Sequence, residues 1–264
     1  MPDAKEMYGL ILKMRERRPL IHHITNWVTI YDCAQITRAA GALPVMAHAK
    51  EEVEEMASLA SALVINIGTL TPELIESAIL AQKKANEMGI PVVLDAVGAG
   101  ATRLRTESAV RIMNSGISVL KGNYGEIATL AGSNAEVRGV ESMGLEGEIE
   151  EIAEKLAVER NFVVAATGKE DIVTDGKRTA KVLNGHELMG AVVGTGCMAT
   201  SVIGSFLAVS GDVFSGTVYA LSAYGIAGEM AARNSKAPME FKHRLMDSMA
   251  LISEKDCERM RVIS

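Results

Sequence analysis

Short apolar runs recur along the chain, and longer segments of mixed polarity separate them. Four runs are nearly continuous in apolar residues, namely residues 62–67 (ALVINI), 91–95 (PVVLD), 118–120 (SVL) and 162–167 (FVVAAT). Such runs are typical of strands buried on both faces of a parallel sheet. Because parallel strands need a crossover connection between them, the spacing of the runs predicts an open sheet built from right-handed βαβ units.

The segment between the first two runs carries the start and stop signals of a helix. Thr71 suits the N-cap, Pro72 suits the first helical turn, and Gly89 suits the exit. Residues 62–95 are therefore predicted to form one βαβ unit. Further along, residues 171–182 (DIVTDGKRTAKV) place two short apolar stretches around an Asp-Gly pair, which predicts a hairpin.

The C-terminal part of the chain is predicted to be helical, over residues 197–209, 213–233 and 239–258. The first of these helices is apolar on all sides and the second nearly so, which indicates burial between layers of the fold or in a subunit interface. No residue between Glu187 and Asp212 is charged, and a stretch of that length raises the question of a membrane span. Glycines and hydroxyl residues interrupt the stretch, so a loop leading into a buried helix is the favoured interpretation.

The composition is that of a folded protein. The chain has 264 residues, 48% of them hydrophobic and 23% charged, which excludes intrinsic disorder. Its length suits one large α/β domain or two small ones, and we expect a single domain over residues 1–264. A formal net charge of −6, with one tryptophan, five tyrosines and four phenylalanines, leaves neither a basic field nor enough stacking surface for nucleic acid.

Cysteine usage and the N-terminal segment bear on the compartment. Cys33, Cys197 and Cys257 lie far apart and form no C-x-x-C pair, so neither a disulfide framework nor a zinc ribbon is indicated. Residues 1–20 mix charged with apolar positions and lack the pattern of a secretory signal. We therefore expect a cytoplasmic protein.

The most informative segment is the run Gly-Thr-Gly-Cys at residues 194–197, which opens directly into a predicted helix. A glycine-rich turn at a helix start aims unpaired backbone N–H groups and the positive end of the helix dipole at one point, where they hold a phosphate or a developing anion. The same pattern also occurs as a plain tight turn between a hairpin and a helix. Taken alone, it does not decide between the two.

Polar residues follow the predicted strands at the edge where ligands of open parallel sheets gather. Asp95, Lys121, Asn123, Glu126 and Thr167 can converge there with the glycine turn. Two carboxylates, a cation and a donor-rich turn are what phosphoryl transfer uses, since carboxylates hold Mg²⁺ and the cation offsets charge on the transferred group. The chain contains no G-x-x-x-x-G-K-[ST] motif, so it is not a P-loop enzyme.

Seven segments carry a resemblance that spans nearly the whole chain. They are PLIHHITNWV, GALPVMAHAKEEVEEM, INIGTL, VVLDAVGAGATRLR, KGNYGEI, ATGKEDIV and GTGCMATSVIGSFLAV. Together and in this order they resemble the hydroxyethylthiazole kinases of thiamine salvage, a branch of the ribokinase-like fold. The N-x-x-E of residues 123–126 resembles the magnesium element of that fold, and GTGC stands where its sugar kinases carry G-x-G-D. The resemblance implies an α/β fold, a ribokinase-like three-layer αβα sandwich with a central, mostly parallel sheet.

The resemblance also implies an activity and a site. The activity is ATP- and Mg²⁺-dependent phosphorylation of the hydroxyl of 5-(2-hydroxyethyl)-4-methylthiazole, in a homotrimer with sites between subunits and with neither nucleic acid nor membrane as partner. The residues that it assigns are Lys121, Asn123, Thr167 and Gly168 for ATP, Asp95 and Glu126 for Mg²⁺, and Asn26, Val28, Met46, Gly68 and Gly194 for the thiazole alcohol.

Two other functions stay open at this point. One is a ribokinase-like kinase of another heteroaromatic alcohol, such as a hydroxymethylpyrimidine or pyridoxine. The other is a nucleotide-binding module that keeps the fold without group transfer. The pair of metal-directed carboxylates, Asp95 and Glu126, argues against the module, because a pure binder does not need them.

Three positions depart from the kinase patterns. Lys121 stands where the family usually has arginine, and Ala96 stands where it usually has proline. Lysine supplies the charge without the planar fork that binds phosphate in a bidentate way. Cys197 stands where the related sugar kinases carry aspartate as the proposed base. Because a helix N-terminus lowers a thiol pKa, we expect Cys197 to assist as a proton acceptor without forming a covalent intermediate; the alternative is that it only shapes the pocket.

Overall fold

The computed structural model describes residues 2–132 and 146–264, and within these residues nine strands form one mixed sheet. The strands are β1 Leu20–Ile24, β2 Leu43–Val45, β3 Ala62–Asn66, β4 Val92–Asp95, β5 Val119–Asn123, β6 Val163–Thr167, β7 Asp171–Thr174, β8 Thr179–Val182 and β9 Val262–Ile263. Their order across the sheet is β2-β1-β3-β4-β5-β6-β7-β8-β9. The first six strands are parallel to one another, and β7, β8 and β9 continue the sheet in antiparallel fashion.

Helices cover the sheet on both faces. They are α1 Ala4–Arg17, α2 Ile30–Ala40, α3 Val53–Leu59, α4 Pro72–Glu87, α5 Arg103–Asn114, α6 Tyr124–Leu130, α7 Glu146–Arg160, α8 Thr195–Leu207, α9 Val213–Ala232, α10 Pro238–Leu251 and α11 Glu254–Cys257. One hydrophobic core joins the sheet to α1, α2, α8, α9 and α10. A second core joins it to the helices from α3 to α7. This arrangement confirms the predicted three-layer αβα sandwich.

The two cores explain the continuous apolar runs of the strands. In β3, Leu63 and Ile65 belong to the core beside α4, whereas Val64 belongs to the core beside α8. Successive side chains of a strand point to opposite faces, so a strand covered on both faces must be apolar at every position. The four predicted strands and the hairpin are confirmed, and so is α4, whose Thr71 cap accepts a hydrogen bond from the N–H of Leu74 at 3.1 Å.

The predictions needed correction where short elements end or pair. Residues 239–258 were predicted as one helix, but α10 ends at Leu251 and Ser253 starts α11 through a capping box with Asp256. A serine whose side chain bonds to nearby backbone competes with helix continuation. Strands β1, β2 and β9 were not predicted. In β1, two histidines interrupt the apolar run. β2 and β9 have three and two residues, which is too short for a usable period, and they depend on their neighbours in the sheet.

The uncharged stretch before Asp212 contains a loop followed by α8. Gly204 of α8 lies directly on β3, where an added Cβ atom would come within 2.5 Å of the Val64 side chain. All residues of α8 from Met198 to Leu207 are buried, which accounts for the absence of a polar face. Among the described residues, no helix is long and apolar enough to cross a membrane.

Candidate active site

Three polar residues of neighbouring strands lie side by side because of the sheet register. Asp95, the last residue of β4, pairs with Asn66 at the end of β3 and with Lys121 in β5. The side chain of Asp95 is fully buried. Its Oδ1 accepts from Lys121 Nζ at 3.2 Å, and its Oδ2 accepts from Asn66 Nδ2 at 2.7 Å and from Thr200 Oγ1 at 2.8 Å. The predicted convergence of Asp95 and Lys121 is therefore present.

Lys121 is a buried cation at this edge of the sheet, with only 5% of the residue exposed. Burial lowers the pKa of its ammonium, but the charges of Asp95 and Glu126 outweigh burial, and the pKa is raised above its ordinary value. The ammonium also lies against the first turn of α8, since a Cβ atom on Gly196 would come within 3.0 Å of Nζ. Positive charge and the start of a helix thus meet at one point.

Glu126 lies in the first turn of α6 and ties that helix to the turn after β4. It forms a capping box with Asn123, in which Asn123 Oδ1 accepts from the Glu126 N–H at 2.9 Å and Glu126 Oε2 accepts from the Asn123 N–H at 2.7 Å. Glu126 Oε1 accepts from the Gly98 N–H at 2.7 Å. Burial raises the pKa of this carboxyl and the charge of Asp95 adds to the rise, whereas Lys121 opposes it. A further cation beside Glu126 would relieve this unfavourable burial.

The carboxylates at this edge set the kind of metal site that is possible. In the described part of the chain, no group of three or more His, Cys, Asp or Glu residues is placed to hold a metal ion. Each oxygen of Glu126 receives one backbone N–H, which leaves acceptor capacity on both. Mg²⁺ is ordinarily held by one or two carboxylates together with water and phosphate oxygens. Glu126 has the free acceptor capacity that such an incomplete site needs, whereas the Asp95 carboxylate already accepts three hydrogen bonds.

The glycine turn before α8 packs closely on the segment after β1. Gly194 is the N-cap of α8 with φ of +93°, and an added Cβ atom there would lie 2.4 Å from Thr29 Cγ2. Thr29 in turn donates from its N–H and its Oγ1 to Asn26 Oδ1, at 3.0 and 3.1 Å. The predicted opening of a helix directly behind this turn is confirmed, although α8 starts at Thr195 and not at Cys197.

Cys197 is partly buried beneath this turn, and Asn26 Nδ2 lies 3.4 Å from its Sγ. Burial raises the pKa of the thiol and the charge of Asp95 raises it further, while contacts from Thr29 and Lys121 offset the rise only in part. The expectation of a lowered thiol pKa is therefore wrong. Desolvation, together with the charge of the buried Asp95 carboxylate, determines the direction of the shift.

Residues assigned to the thiazole alcohol fall into two groups. Asn26 and Gly68 belong to the polar network, because Asn66 Oδ1 accepts from Asn26 Nδ2 and from the Gly68 N–H, both at 2.9 Å. Val28 and Met46 lie outside it. Val28 is 66% exposed next to Thr29, and Met46 is half-buried just after β2.

A cavity of about 660 Å³ lies on the side of Lys121 away from Asn26. Its walls are the end of β6, the start of β7, the segment after β8, the first turns of α8 and the middle of α9. This volume is within the range of sites for cofactors and nucleotides. The predicted residues Thr167, Gly168 and Gly196 line it. Asn123 does not line it; its side chain caps α6, and in the sheet the residue pairs with Thr167.

Sequence reasoning assigned no role to several residues of this cavity, namely Lys169, Asp171, Leu183, Asn184, Gly185, His186, Glu187, Met189, Gly190, Ala199, Leu221, Tyr224 and Gly225. Asp171 had a signal, since it falls in the ATGKEDIV segment behind a strand end. Tyr224 had none, because it lies inside an apolar helix. Its hydroxyl donates to the carbonyl of Thr195 at 3.0 Å and so anchors the start of α8 from below.

Asp171 closes the turn that follows β6, and its Oδ1 accepts from the Gly168 N–H at 3.1 Å. Burial raises the pKa of its carboxyl to about 7, although that hydrogen bond and the charge of Lys121 oppose the rise. The Gly168 amide is therefore committed to Asp171. The absence of a side chain at Gly168 lets this turn pack on Tyr124, since an added Cβ atom would lie 2.6 Å from the Tyr124 ring.

The raised pKa of Asp171 predicts a pH dependence of stability. Because the folded state binds this proton more tightly than the unfolded chain, the contribution is complete below about pH 4 and is lost as the pH rises towards 7. Asp171→Asn keeps an acceptor for Gly168 and removes the titration. Its free energy of unfolding, relative to the wild type, is expected to rise by about 1–2 kcal/mol between pH 4 and pH 8, after allowance for solvent screening. Urea unfolding across this range measures the difference.

Asp175→Asn in the hairpin is the matched control. Despite partial burial, hydrogen bonds from the backbone of Arg178 and Lys177 lower the pKa of Asp175. The stabilising contribution of Asp175 is therefore lost only as the pH falls below its ordinary range, and the control should run parallel to the wild type from pH 5 to 8. A parallel curve for Asp171→Asn as well would contradict the raised pKa.

Comparisons with known proteins agree on one family. The model of the hydroxyethylthiazole kinase family matches residues 11–255. The hydroxyethylthiazole kinase of Methanosarcina mazei is 55% identical over 248 residues, covering 94% of this chain and 95% of that protein. That of Thermoanaerobacter pseudethanolicus is 54% identical over 253 residues, covering 95% and 96%.

Solved structures extend the similarity to the fold. The hydroxyethylthiazole kinase protein of Pyrococcus horikoshii superposes with a TM-score of 0.92 at 45% identity, covering 98% of each chain. A ribokinase-like superfamily protein of Enterococcus faecalis superposes with a TM-score of 0.63 at 14% identity, covering 89% of this chain and 88% of that one. The second similarity concerns the fold alone.

Proposed function

This chain belongs to the hydroxyethylthiazole kinase family, and from that premise we propose that it transfers a phosphoryl group from ATP to the hydroxyl of 5-(2-hydroxyethyl)-4-methylthiazole, with Mg²⁺. One observation supports the proposal most directly. Asp95 and Lys121 lie against the start of α8, and Glu126 is close enough to Lys121 for its charge to raise the pKa of the ammonium. The cavity lies on one side of this group and the Asn26 network on the other. ATP on one side and the alcohol that accepts its phosphoryl group on the other would meet at a cation, two carboxylates and a helix start.

On the nucleotide side, we propose that ATP occupies the cavity. Its triphosphate would point towards Lys121 and the amides at the start of α8, while Thr167 and Gly168 form the wall beside it. Lys121 carries its proton at neutral pH because its pKa is raised, so it offers a fixed positive charge. Asp95 and Glu126 would hold Mg²⁺, which when bound offsets the charge of the phosphates.

On the acceptor side, we propose that the thiazole alcohol lies against Asn26, Gly68 and Gly194, with Val28 and Met46 as apolar walls. Support comes from the network that joins Asn26 through Asn66 to Asp95, since it fixes these backbone segments relative to the carboxylate. Orientation of this kind is a large part of catalysis when the transition state is loose and little proton transfer is needed early.

The raised pKa of Cys197 predicts a flat pH profile for turnover. A thiol with a raised pKa is almost wholly protonated at neutral pH, so we propose that it orients the substrate hydroxyl and is not the proton acceptor. Cys197→Ser should then keep kcat within about tenfold of the wild type, and kcat of the wild type should stay level from pH 7 to 9. A rise in wild-type kcat towards pH 9 that disappears in Cys197→Ser would restore the base role. Cys197→Asp, which supplies the carboxylate found in related sugar kinases, is the companion variant.

The activity is tested with purified protein, ATP, Mg²⁺ and a panel of alcohols. The thiazole alcohol, a hydroxymethylpyrimidine and pyridoxine are compared by ADP release and by mass of the phosphorylated product. We expect turnover to be highest with the thiazole alcohol. Highest turnover with another member of the panel would reassign the substrate, and ATP binding without turnover of any alcohol would overturn the kinase function.

Quaternary structure and location are further parts of the proposal. We propose a homotrimer with the acceptor site between subunits, supported by four large apolar side chains exposed around that site: Trp27, Val28, Tyr31 and Val193. Light scattering should give three times the mass of the chain, and a monomer would remove the subunit-bridging site.

We propose a cytoplasmic location, which the three free cysteines favour and cell fractionation would test.

A further inference from the structure

The segment after β8 forms one wall of the nucleotide cavity, and charged side chains that do not line the cavity hold this wall from behind. The cluster so formed consists of Glu229 of α9, Asn184 and Gly185 of the wall, and Arg259 and Arg261 of the C-terminal segment; we call it the Glu229 cluster. Glu229 Oε1 accepts from Asn184 Nδ2 at 3.0 Å, from the Gly185 N–H at 3.1 Å and from Arg261 Nη2 at 2.8 Å. Its Oε2 accepts from Arg259 Nη2 at 3.3 Å. One carboxylate thus joins three distant parts of the chain.

Asn184 is bound on both ends of its amide. Besides donating to Glu229, its Nδ2 donates to the Arg259 carbonyl at 3.0 Å, and its Oδ1 accepts from the Arg261 N–H at 2.7 Å. The Arg261 guanidinium donates to the Leu183 carbonyl at 2.8 Å. The wall segment therefore takes its position from β9 and the residues before it, which pair with β8 only at the sheet edge.

The wall is also pressed against α9. An added Cβ atom on Gly225 would come within 2.5 Å of the Asn184 carbonyl oxygen, and Gly225 itself lines the cavity one helical turn before Glu229. Burial opposes ionisation of Glu229, but hydrogen bonds from Arg261 and Asn184 outweigh it and lower the pKa of the carboxyl. Glu229 is therefore charged at neutral pH, and it faces the two guanidinium groups of Arg259 and Arg261.

We propose that Glu229 is a positioning residue for the nucleotide, which sets the width of the ATP cavity by fixing residues 183–186 through Arg259 and Arg261. The proposal rests on the proposed function in one respect only, that the cavity receives ATP. It involves no contact of Glu229 with the substrate, since Glu229 does not line the cavity. Loss of the Glu229 cluster should weaken nucleotide binding and leave the acceptor site, on the other side of Lys121, unchanged.

The test compares Glu229→Gln with the wild type in steady-state kinetics and in calorimetric binding of ADP. We expect KM for ATP and Kd for ADP to rise about five- to twentyfold, with kcat and KM for the thiazole alcohol within about twofold of the wild type. Arg261→Ala should show the same split, because its side chain is 50% exposed and its loss leaves the cores intact. Arg261→Lys, which keeps the charge, should recover part of the ADP affinity.

Glu76→Gln is the matched control, since it loses an ion pair of 2.8 Å with Arg111 on α5, far from the cavity. Unchanged ADP affinity in folded Glu229→Gln would overturn the proposal. A lower kcat and melting temperature together with higher KM values for both substrates would also overturn it, because that pattern indicates a purely structural role. The ADP measurement separates this inference from the proposed function. Weaker ADP binding in Glu229→Gln supports the positioning role of Glu229 even if no thiazole alcohol is phosphorylated. Unchanged ADP binding rejects that role even if the protein is an active kinase.

Discussion

Asp95→Asn is expected to lower kcat with the thiazole alcohol by about a hundred- to a thousandfold, the range found when one preorganised polar group is removed from an active site. The three groups around the Asp95 carboxylate, on Lys121, Asn66 and Thr200, all act as donors. An asparagine in this position turns an NH₂ group towards one of them and leaves the ammonium of Lys121 without its counter-ion. The carboxylate that would support Mg²⁺ is lost in the same change.

The same substitution should lower stability, because breaking a buried ion pair from one side costs about 3–5 kcal/mol. Kinetics are therefore measured at a temperature where circular dichroism shows the variant folded. The pair Asp95→Asn with Lys121→Met removes the stranded ammonium, so part of the stability should return while turnover does not. Such a separation assigns the lost activity to charge and not to unfolding.

Asp212→Asn is a control for the loss of a paired aspartate. Asp212 pairs with Arg178 at 3.0 Å on the surface, with 44% of its side chain exposed, and asparagine still serves as the N-cap of α9. We expect kcat within about twofold of the wild type and a change in unfolding free energy below about 1 kcal/mol. Activity of Asp95→Asn near that of this control would contradict the role given to Asp95.

The strand ends of the site were predictable because two simple rules apply to them, one for the apolar pattern of a buried strand and one for the direction of parallel strands. A strand buried on both faces is continuous in apolar residues, so a polar residue such as Asp95 marks its end, and parallel strands bring their ends to one edge. In β5 the run breaks at Lys121, although the strand continues to Asn123. Thr71 and Gly194 were visible because caps and positive φ favour few residue types. Local rules therefore gave the edge of the sheet at which the site lies.

Other parts depend on contacts that no local rule contains. Thr200 reads as one more small residue of an apolar helix, and only the packing of α8 on β4 places its hydroxyl on Asp95. The cavity wall around Asn184 depends on Arg259 and Arg261, more than 70 residues away along the chain. The pKa of Cys197 was misjudged for the same reason, since the helix start is local whereas burial and the nearby Asp95 are tertiary.

Gly194→Ala is expected to reduce kcat/KM for the thiazole alcohol by at least about a hundredfold, equivalent to about 3 kcal/mol at the transition state. A Cβ atom at this position meets Thr29 Cγ2 at 2.4 Å, and φ of +93° is unfavourable for alanine. Relief of the clash must move Thr29, whose N–H and Oγ1 hold Asn26, and Asn26 holds Asn66 beside the Asp95 carboxylate. The alteration should thus act chiefly on the acceptor side and leave KM for ATP within about threefold of the wild type.

A second substitution separates the clash from the backbone strain. Thr29→Ser removes the Cγ2 methyl group and keeps the hydroxyl that donates to Asn26, so Gly194→Ala with Thr29→Ser should regain about tenfold in kcat/KM, while the strain from positive φ persists. Gly211→Ala is the matched control, because an added Cβ atom there meets nothing within 4 Å. Equal kcat/KM values for Gly194→Ala and Gly211→Ala would show that the close packing of the turn on Thr29 does not position the acceptor. If kcat/KM does not recover in the double variant, the loss of kcat/KM comes from the backbone strain of the turn itself.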